Sequence, residues 1–251
     1  MTEVPPVRVA MWSGPRNLST AMMRSFEARG DCAVTDEPFY AAYLHRTGLD
    51  HPLRDEVIES QSRDPQEVEK MLLGPVPGHK PVWYQKHMTL HLLPGFDRRW
   101  LAGVSNAFLI REPRAVLASY AAKRTAVTLA DLGFVQQHEL FDSVADQLGT
   151  APPVVDAADI LARPAQTLEQ LCAALGLVFT PAMLQWSPGL RATDGVWAPA
   201  WYQSVERSTG FGSPSGAPTA APPTLPSQLE SLAEQAQPHY AALFHHRLSD
   251  G

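Results

Sequence analysis

An apolar run, Val7–Trp12, leads through Gly14-Pro15-Arg16-Asn17-Leu18-Ser19-Thr20 into a stretch of helical spacing, Leu18–Ala28. A strand, a tight polar turn and a helix start in succession constrain this chain more than any other feature. The first turn of a helix has backbone N–H groups without intrahelical partners and the positive end of the helix dipole, and Arg16, Ser19 and Thr20 add side-chain donors. The expectation is an anion cradle for a phosphorylated ligand. The competing reading is a plain turn in which Ser or Thr caps the next helix. The phosphate loop of kinases and ATPases needs Gly-x-x-x-x-Gly-Lys-Ser/Thr. Here the second glycine and the lysine are missing, and Arg16 supplies the cation as a planar fork that can bridge two phosphate oxygens.

A second segment has the same logic. Ala107–Ile110 is a short apolar run ending in Arg111-Glu112-Pro113-Arg114, and Ala115–Ala122 has helical spacing with Pro113 placed for the first turn. Arg111 thus falls at the carboxyl end of a strand, and Ser119 lies eight residues later, two turns along the following helix. Ligands of open α/β sheets bind outside the carboxyl ends of the strands. Two such ends predict one ligand with two separate phosphate groups.

On these residues the chain resembles the sulfotransferases that use 3′-phosphoadenosine 5′-phosphosulfate. Gly14–Thr20 is similar to their 5′-phosphosulfate loop, Pro-Lys/Arg-Ser-Gly-Ser/Thr-Thr, with Asn17-Leu18 in place of the usual Ser-Gly. Phe108–Tyr120 resembles the segment in which an arginine and a serine hold the 3′-phosphate, here Arg111 and Ser119. Tyr84–Pro94 resembles a strand that ends in a Lys/His pair upstream of Leu-Leu-Pro. Val154–Asp156 followed by Leu161–Gly176 looks like the late strand and its helix, and Arg207-Ser208-Thr209-Gly210-Phe211 stands where the family has a basic and glycine-containing segment closing over the cofactor.

The resemblance implies roles. Gly14, Pro15, Arg16, Asn17, Leu18, Ser19 and Thr20 would hold the 5′-phosphate, Arg111 and Ser119 the 3′-phosphate, and Arg207, Ser208, Thr209 and Gly210 the closing segment. Two residues compete for the base. His87 matches the histidine of cytosolic members, and Glu37, in Asp36-Glu37-Pro38-Phe39, matches the branch with a glutamate base. The residues alone do not choose between them. Lys86 could assist at the bridging or sulfuryl oxygens, and His91 is expected to pack or line the pocket edge; most large aromatics are core, and Trp12 and Phe211 are the ones to test for stacking on adenine or shaping the acceptor site.

Short apolar runs at Val7–Trp12, Cys32–Thr35, Val82–Lys86, Ala107–Ile110 and Pro153–Asp156 alternate with helical stretches, which predicts an α/β fold: a mostly parallel sheet with helices on both faces. Residues Asp55–Leu73 read as inserted surface helices, Asp131–Leu148 as one long helix, and Leu229–Leu248 as a terminal helix. Residues 1–251 are expected to form one domain, with a Pro/Gly/Ala-rich loop at 212–227, read also as a lid or a passive connection, before a helix at 228–248.

A formal charge of −6 disfavours a general nucleic-acid binder. Arginines outnumber lysines, and Arg16, Arg24, Arg111, Arg114 and Arg124 fall in or beside the proposed anion site. Cys32 and Cys172 read as buried thiols. No apolar stretch approaches the roughly 20 residues that span a membrane, and a charged leader before an apolar segment is missing from Met1–Pro6, so a cytoplasmic protein is expected.

The expected function is transfer of a sulfuryl group from 3′-phosphoadenosine 5′-phosphosulfate to a hydroxyl or amine of a small-molecule acceptor, with adenosine 3′,5′-bisphosphate as product and no metal. The alternatives are a nucleotide kinase or NTP hydrolase with an atypical phosphate loop, and a non-catalytic nucleotide-binding module.

Overall fold

The computed structural model describes residues 5–121, 127–212 and 224–249. Five strands, β1 (Val7–Ser13), β2 (Cys32–Asp36), β3 (Val82–Met88), β4 (Ser105–Ile110) and β5 (Val154–Asp156), form one sheet in the order β2-β3-β1-β4-β5. Every pairing is parallel, so the expected mostly parallel sheet is parallel throughout. β1 takes the centre because both its faces are apolar: Val9 and Met11 point one way, Ala10 and Trp12 the other, and all four are fully buried. From β1 the chain first builds toward β2 and later returns to the opposite side as β4. The carboxyl ends of β1, β3 and β4 therefore open onto one crevice.

Helices α1 (Ser19–Glu27), α2 (Tyr40–Thr47), α3 (Arg54–Ser60), α4 (Pro65–Leu73), α5 (Pro113–Ala121), α6 (Leu129–Leu132), α7 (Phe134–Leu148), α8 (Ala157–Ala162), α9 (Pro164–Ala174), α10 (Ala198–Trp201) and α11 (Ser227–Phe244) complete the described chain. One face of the sheet buries Trp12, Trp83 and Phe108 against Leu140 and Phe141 of α7 and Tyr240 of α11. The other buries Val9, Met11, Tyr84 and Leu109 against Phe26 of α1 and Leu168 and Leu171 of α9. A smaller cluster joins α2 and α3 to Trp197 and Tyr202.

Three helices differ from expectation, each for a local reason. The helix expected at Asp131–Leu148 is broken at Gly133, whose φ of +74° lies in the left-handed region and whose missing Cβ would meet Leu90 and Thr89 at 3.3 Å. The stretch Leu161–Gly176 is split at Arg163, whose φ of −142° and ψ of 62° lie outside the helical region ahead of Pro164, where a residue before proline is disfavoured as helix. The terminal helix stops at Phe244, and the Leu248 N–H donates to the Val154 carbonyl at 2.8 Å, so the chain end lies against β5. Of the loop expected at 212–227, residues 213–223 lie outside the described residues, as does Arg124. Among the described residues no helix is long and apolar enough to cross a membrane.

Candidate active site

The loop after β1 is fastened to the end of β4. The Asn17 side chain donates to the Leu109 carbonyl at 2.9 Å and accepts from the Leu18 N–H at 2.9 Å. Arg16 sits at a φ of 56°, a conformation a non-glycine residue keeps only where its surroundings enforce it. The enforcement is visible: Arg111 Nη1 donates to the Arg16 carbonyl at 2.7 Å, and Arg16 Nε donates to Ser119 Oγ at 3.1 Å. The two anion-ready segments read separately in the sequence thus touch through hydrogen bonds.

The capped-turn reading does not describe this loop. Helix α1 starts at Ser19 with Leu18 at its N-cap, no side chain caps it, and its first turn holds no acidic residue. The Ser19 and Thr20 positions line the cleft instead. Burial, and then the Arg16 charge, lower the pKa of Arg111. Two neighbouring guanidinium groups with no carboxylate salt bridge of their own among the described residues leave this corner positive and suited to anions. Gly14 stands behind the wall, where a Cβ would approach the Leu132 carbonyl at 3.0 Å.

Two other arginines are engaged elsewhere. Arg24 is buried and donates to Asp194 at 2.6 Å, and Arg114 pairs with Glu230, so neither lines the cleft. In the carboxyl-terminal segment Ser208, Gly210 and Phe211 line it, while Arg207 and Thr209 are exposed outside it. Trp12, one of the two aromatics singled out for testing, follows the core reading: it is fully buried, with its Nε1 donating to Asn106 at 3.0 Å.

Across the cleft, at the ends of β2 and β3, stands a buried ionic cluster. Lys86 Nζ donates to Asp36 Oδ1 at 2.8 Å, to the Tyr202 hydroxyl at 2.8 Å, and to Glu37 Oε1. An ammonium has three donors, and all three are used within the protein. Lys86, which could assist at the bridging or sulfuryl oxygens, lines the cleft with its ammonium bonded to Glu37, Asp36 and Tyr202. Glu37 has a φ of 40° and, unlike Asp36, faces the cleft. Burial first, then Asp36, raise its pKa, and Lys86 opposes them. His91 stacks on Tyr40 and Tyr43 at 4.3 and 4.8 Å, and its Nδ1 lies 3.7 Å from Glu37 Oε2. Burial holds the His91 pKa well below the usual histidine range, so the ring is neutral.

His87 is not brought to the cleft. Successive residues of a strand point to opposite faces, so Lys86 and His87 cannot both line the same pocket. His87 is 1% exposed and stacks on Trp12 at 4.3 Å, and burial followed by the Lys86 charge lowers its pKa to about 3. Of the two base candidates, only Glu37 meets the cleft.

The cleft encloses about 440 Å³, within the usual range for small-molecule sites. The cradle lies on one wall, and Tyr40, His91, Trp201 and Tyr202 contribute to the other. Sequence reading missed Asp36 and Tyr202 as members of the site. Asp36 had a signal, a second acid beside Glu37. Tyr202 had none, because it reaches Asp36 from 166 residues along the chain.

The family model described as a sulfotransferase domain matches residues 7–246. This chain belongs to the sulfotransferase domain family. Among solved structures similar to this sulfotransferase-family chain are a sulfotransferase from Alicyclobacillus acidocaldarius (TM-score 0.59, 13% identity, 98% of each chain covered) and the sulfotransferase domain from the curacin biosynthetic pathway. The latter has a TM-score of 0.51 at 16% identity and covers 94% of this chain and 99% of its own. At such identities they show the shared fold.

Two curated relatives from Arabidopsis thaliana are similar over most of this chain. Branched-chain-amino-acid aminotransferase-like protein 2 is 37% identical over 204 residues, covering 81% of this chain and 36% of its own length. Branched-chain-amino-acid aminotransferase-like protein 1 is 39% identical over 210 residues, covering 83% and 37%. The chain thus spans little more than a third of the length of these relatives.

Proposed function

We propose that this protein transfers a sulfuryl group from 3′-phosphoadenosine 5′-phosphosulfate to a hydroxyl or amine of a small molecule, with Glu37 as the base, and that residues 1–251 act as one domain. The observation that carries the reading is the placement of Arg111 and Ser119, each hydrogen-bonded to Arg16, across one cleft from the buried Glu37.

The residues present suit such a donor. The uncapped first turn of α1 offers backbone N–H groups beside Arg16, Ser19 and Thr20 for the 5′-phosphate, and Arg111 with Ser119 offers donors for the 3′-phosphate. The donor supplies an activated sulfur whose leaving group is the 5′-phosphate. Arg16 and the loop N–H groups neutralise charge as it gathers on that phosphate. The acceptor proton passes to a Glu37 carboxylate oxygen as the acceptor atom bonds to sulfur and the sulfur–phosphate oxygen bond breaks, its electron pair leaving with the bisphosphate. A carboxylate raised above its ordinary range is the stronger base for this step, a role worth roughly 10²–10⁴-fold in rate.

Calorimetric titration with adenosine 3′,5′-bisphosphate tests the cradle, and product analysis with radiolabelled donor over a panel of phenols, alcohols and amines tests transfer. Binding and labelled product together support the reading. A folded protein that ignores millimolar bisphosphate would sink it, and binding without any transfer would leave a nucleotide-binding module. Magnesium-dependent ATP turnover would favour the kinase alternative.

A further inference from the structure

Asp36 is buried behind the cleft wall and can touch neither donor nor acceptor, yet it is the most heavily bonded carboxylate of the site. Its Oδ1 accepts from Lys86 at 2.8 Å, and its Oδ2 accepts from the Tyr202 hydroxyl at 2.6 Å and the Gly195 N–H at 3.1 Å. Tyr202 in turn accepts from Trp197 Nε1 at 3.1 Å, so the tyrosine is itself held in place. Asp36 and Glu37 share one ammonium. Were Lys86 paired with Glu37 alone, the two would form a neutral buried couple, and an adjacent cation favours the ionised, weakly basic carboxylate.

We propose that Asp36, anchored by Tyr202, is a positioning residue that shares Lys86 with Glu37, so that the ammonium is not spent on Glu37 alone and Glu37 can accept the acceptor's proton. The inference rests on the reading of Glu37 as the base. The groups facing Glu37 fit it from every side. Lys86 approaches from β3 and Asp36 from the end of β2, while the neutral His91 adds no charge from the turn after β3. Tyr202, from the segment after α10, bonds Lys86 and Asp36. Burial, the largest influence on Glu37, is shared by all variants that keep this packing, which leaves Asp36 and Lys86 as opposing adjustments.

The test is a pH titration of the full chain labelled with ¹³C at the glutamate carboxyl carbons, followed by NMR, with the Glu37 signal assigned by its loss in Glu37→Gln. Asp36→Asn removes the competing charge and leaves Lys86 to Glu37, so the Glu37 midpoint is expected to fall by about one pH unit. Tyr202→Phe keeps both carboxylates beside Lys86 but releases Asp36 from its anchor, and the midpoint is expected to fall by less than in Asp36→Asn. Asp36→Glu restores the second carboxylate and is expected to bring the midpoint back toward the wild-type value, a recovery that a merely structural role would not produce. Unmoved or raised midpoints overturn the proposal. If Asp36→Asn does not fold, Tyr202→Phe decides alone: a fall supports the proposal, and a rise or no change overturns it. The readout needs no acceptor, so its outcome is separable from the proposed activity. A fall in Asp36→Asn that Asp36→Glu reverses, in a protein that transfers no sulfuryl group, would uphold the tuning of Glu37 and remove its role as base.

Discussion

The two walls of the cleft handle charge in opposite ways. At the ends of β1 and β4, Arg16 and Arg111 stand together without a carboxylate salt bridge among the described residues, and the first turn of α1 is uncapped. At the ends of β2 and β3 the charges are closed on one another, with Lys86 bonded to Asp36, Glu37 and Tyr202. An open set of donors is organised for a ligand that brings its own negative charge. A closed set is organised to control one of its own members. The wall that looks more highly charged in the sequence is thus the one whose charge is internally spent, and although Glu37, Lys86 and Tyr202 all line the cleft, the three Lys86 donors are already engaged.

The largest effect should separate these two jobs. Glu37→Gln is expected to lower kcat/KM by roughly 10²–10⁴-fold, while adenosine 3′,5′-bisphosphate binds as before by calorimetry. A base works deprotonated, so wild-type kcat/KM should be lost as pH falls through the raised Glu37 midpoint, an acid limb above the ordinary carboxylate range. Full turnover in the variant would return Glu37 to a structural role. Arg111→Ala tests the other wall. Its loss should weaken bisphosphate binding by about 10–100-fold, and Ser119→Ala, which removes the partner of Arg16, by less. Unchanged affinity in both would show that the contact between the two segments organises the loop without holding a phosphate.

A smaller effect is expected at the departure from the family loop. Asn17 ties that loop to Leu109, where the resembled pattern has a serine and then a glycine. Asn17→Gly should reduce bisphosphate affinity roughly fivefold, the equivalent of a hydrogen bond worth about 1 kcal/mol. Tighter binding would mean instead that the tether holds the backbone short of its ligand.

The difference between the walls also decides what could be read in advance. The five strands and the cradle were legible because each is a contiguous pattern: an apolar run, a turn, a helix start. Arg111 and Ser119 are linked by helical spacing, so their common orientation could be inferred as well. The base wall is built from pieces far apart. Asp36, Glu37 and Lys86 sit on two strands whose pairing the local pattern does not specify, and Tyr202 arrives over a connection with no periodicity to announce it. The break at Gly133 belongs to the same class, since the residues that crowd it, Leu90 and Thr89, follow a different strand. His87 is another matter. Strand alternation was available in the sequence, and it separates Lys86 from His87 without any coordinates.

His87 provides the finest test, because it adjoins the ionic cluster in sequence while packing on the opposite face of the sheet. His87→Leu keeps an apolar side chain of comparable bulk against Trp12 and should leave kcat within about twofold, since buried isosteric exchanges usually cost under about 1.5 kcal/mol of stability. Its signature should instead appear in acid denaturation. The folded protein lowers the His87 pKa from 6.5 to about 3, so the unfolded chain binds a proton there that the native state refuses. The resulting stability is present above about pH 6.5 and is lost as pH falls toward 3. Replacing the ring removes this contribution, and the leucine variant should lose less stability than wild type between those limits in denaturant titrations followed by tryptophan fluorescence. A variant that keeps the wild-type acid slope but loses turnover as Glu37→Gln does would put the base on the other face of the sheet.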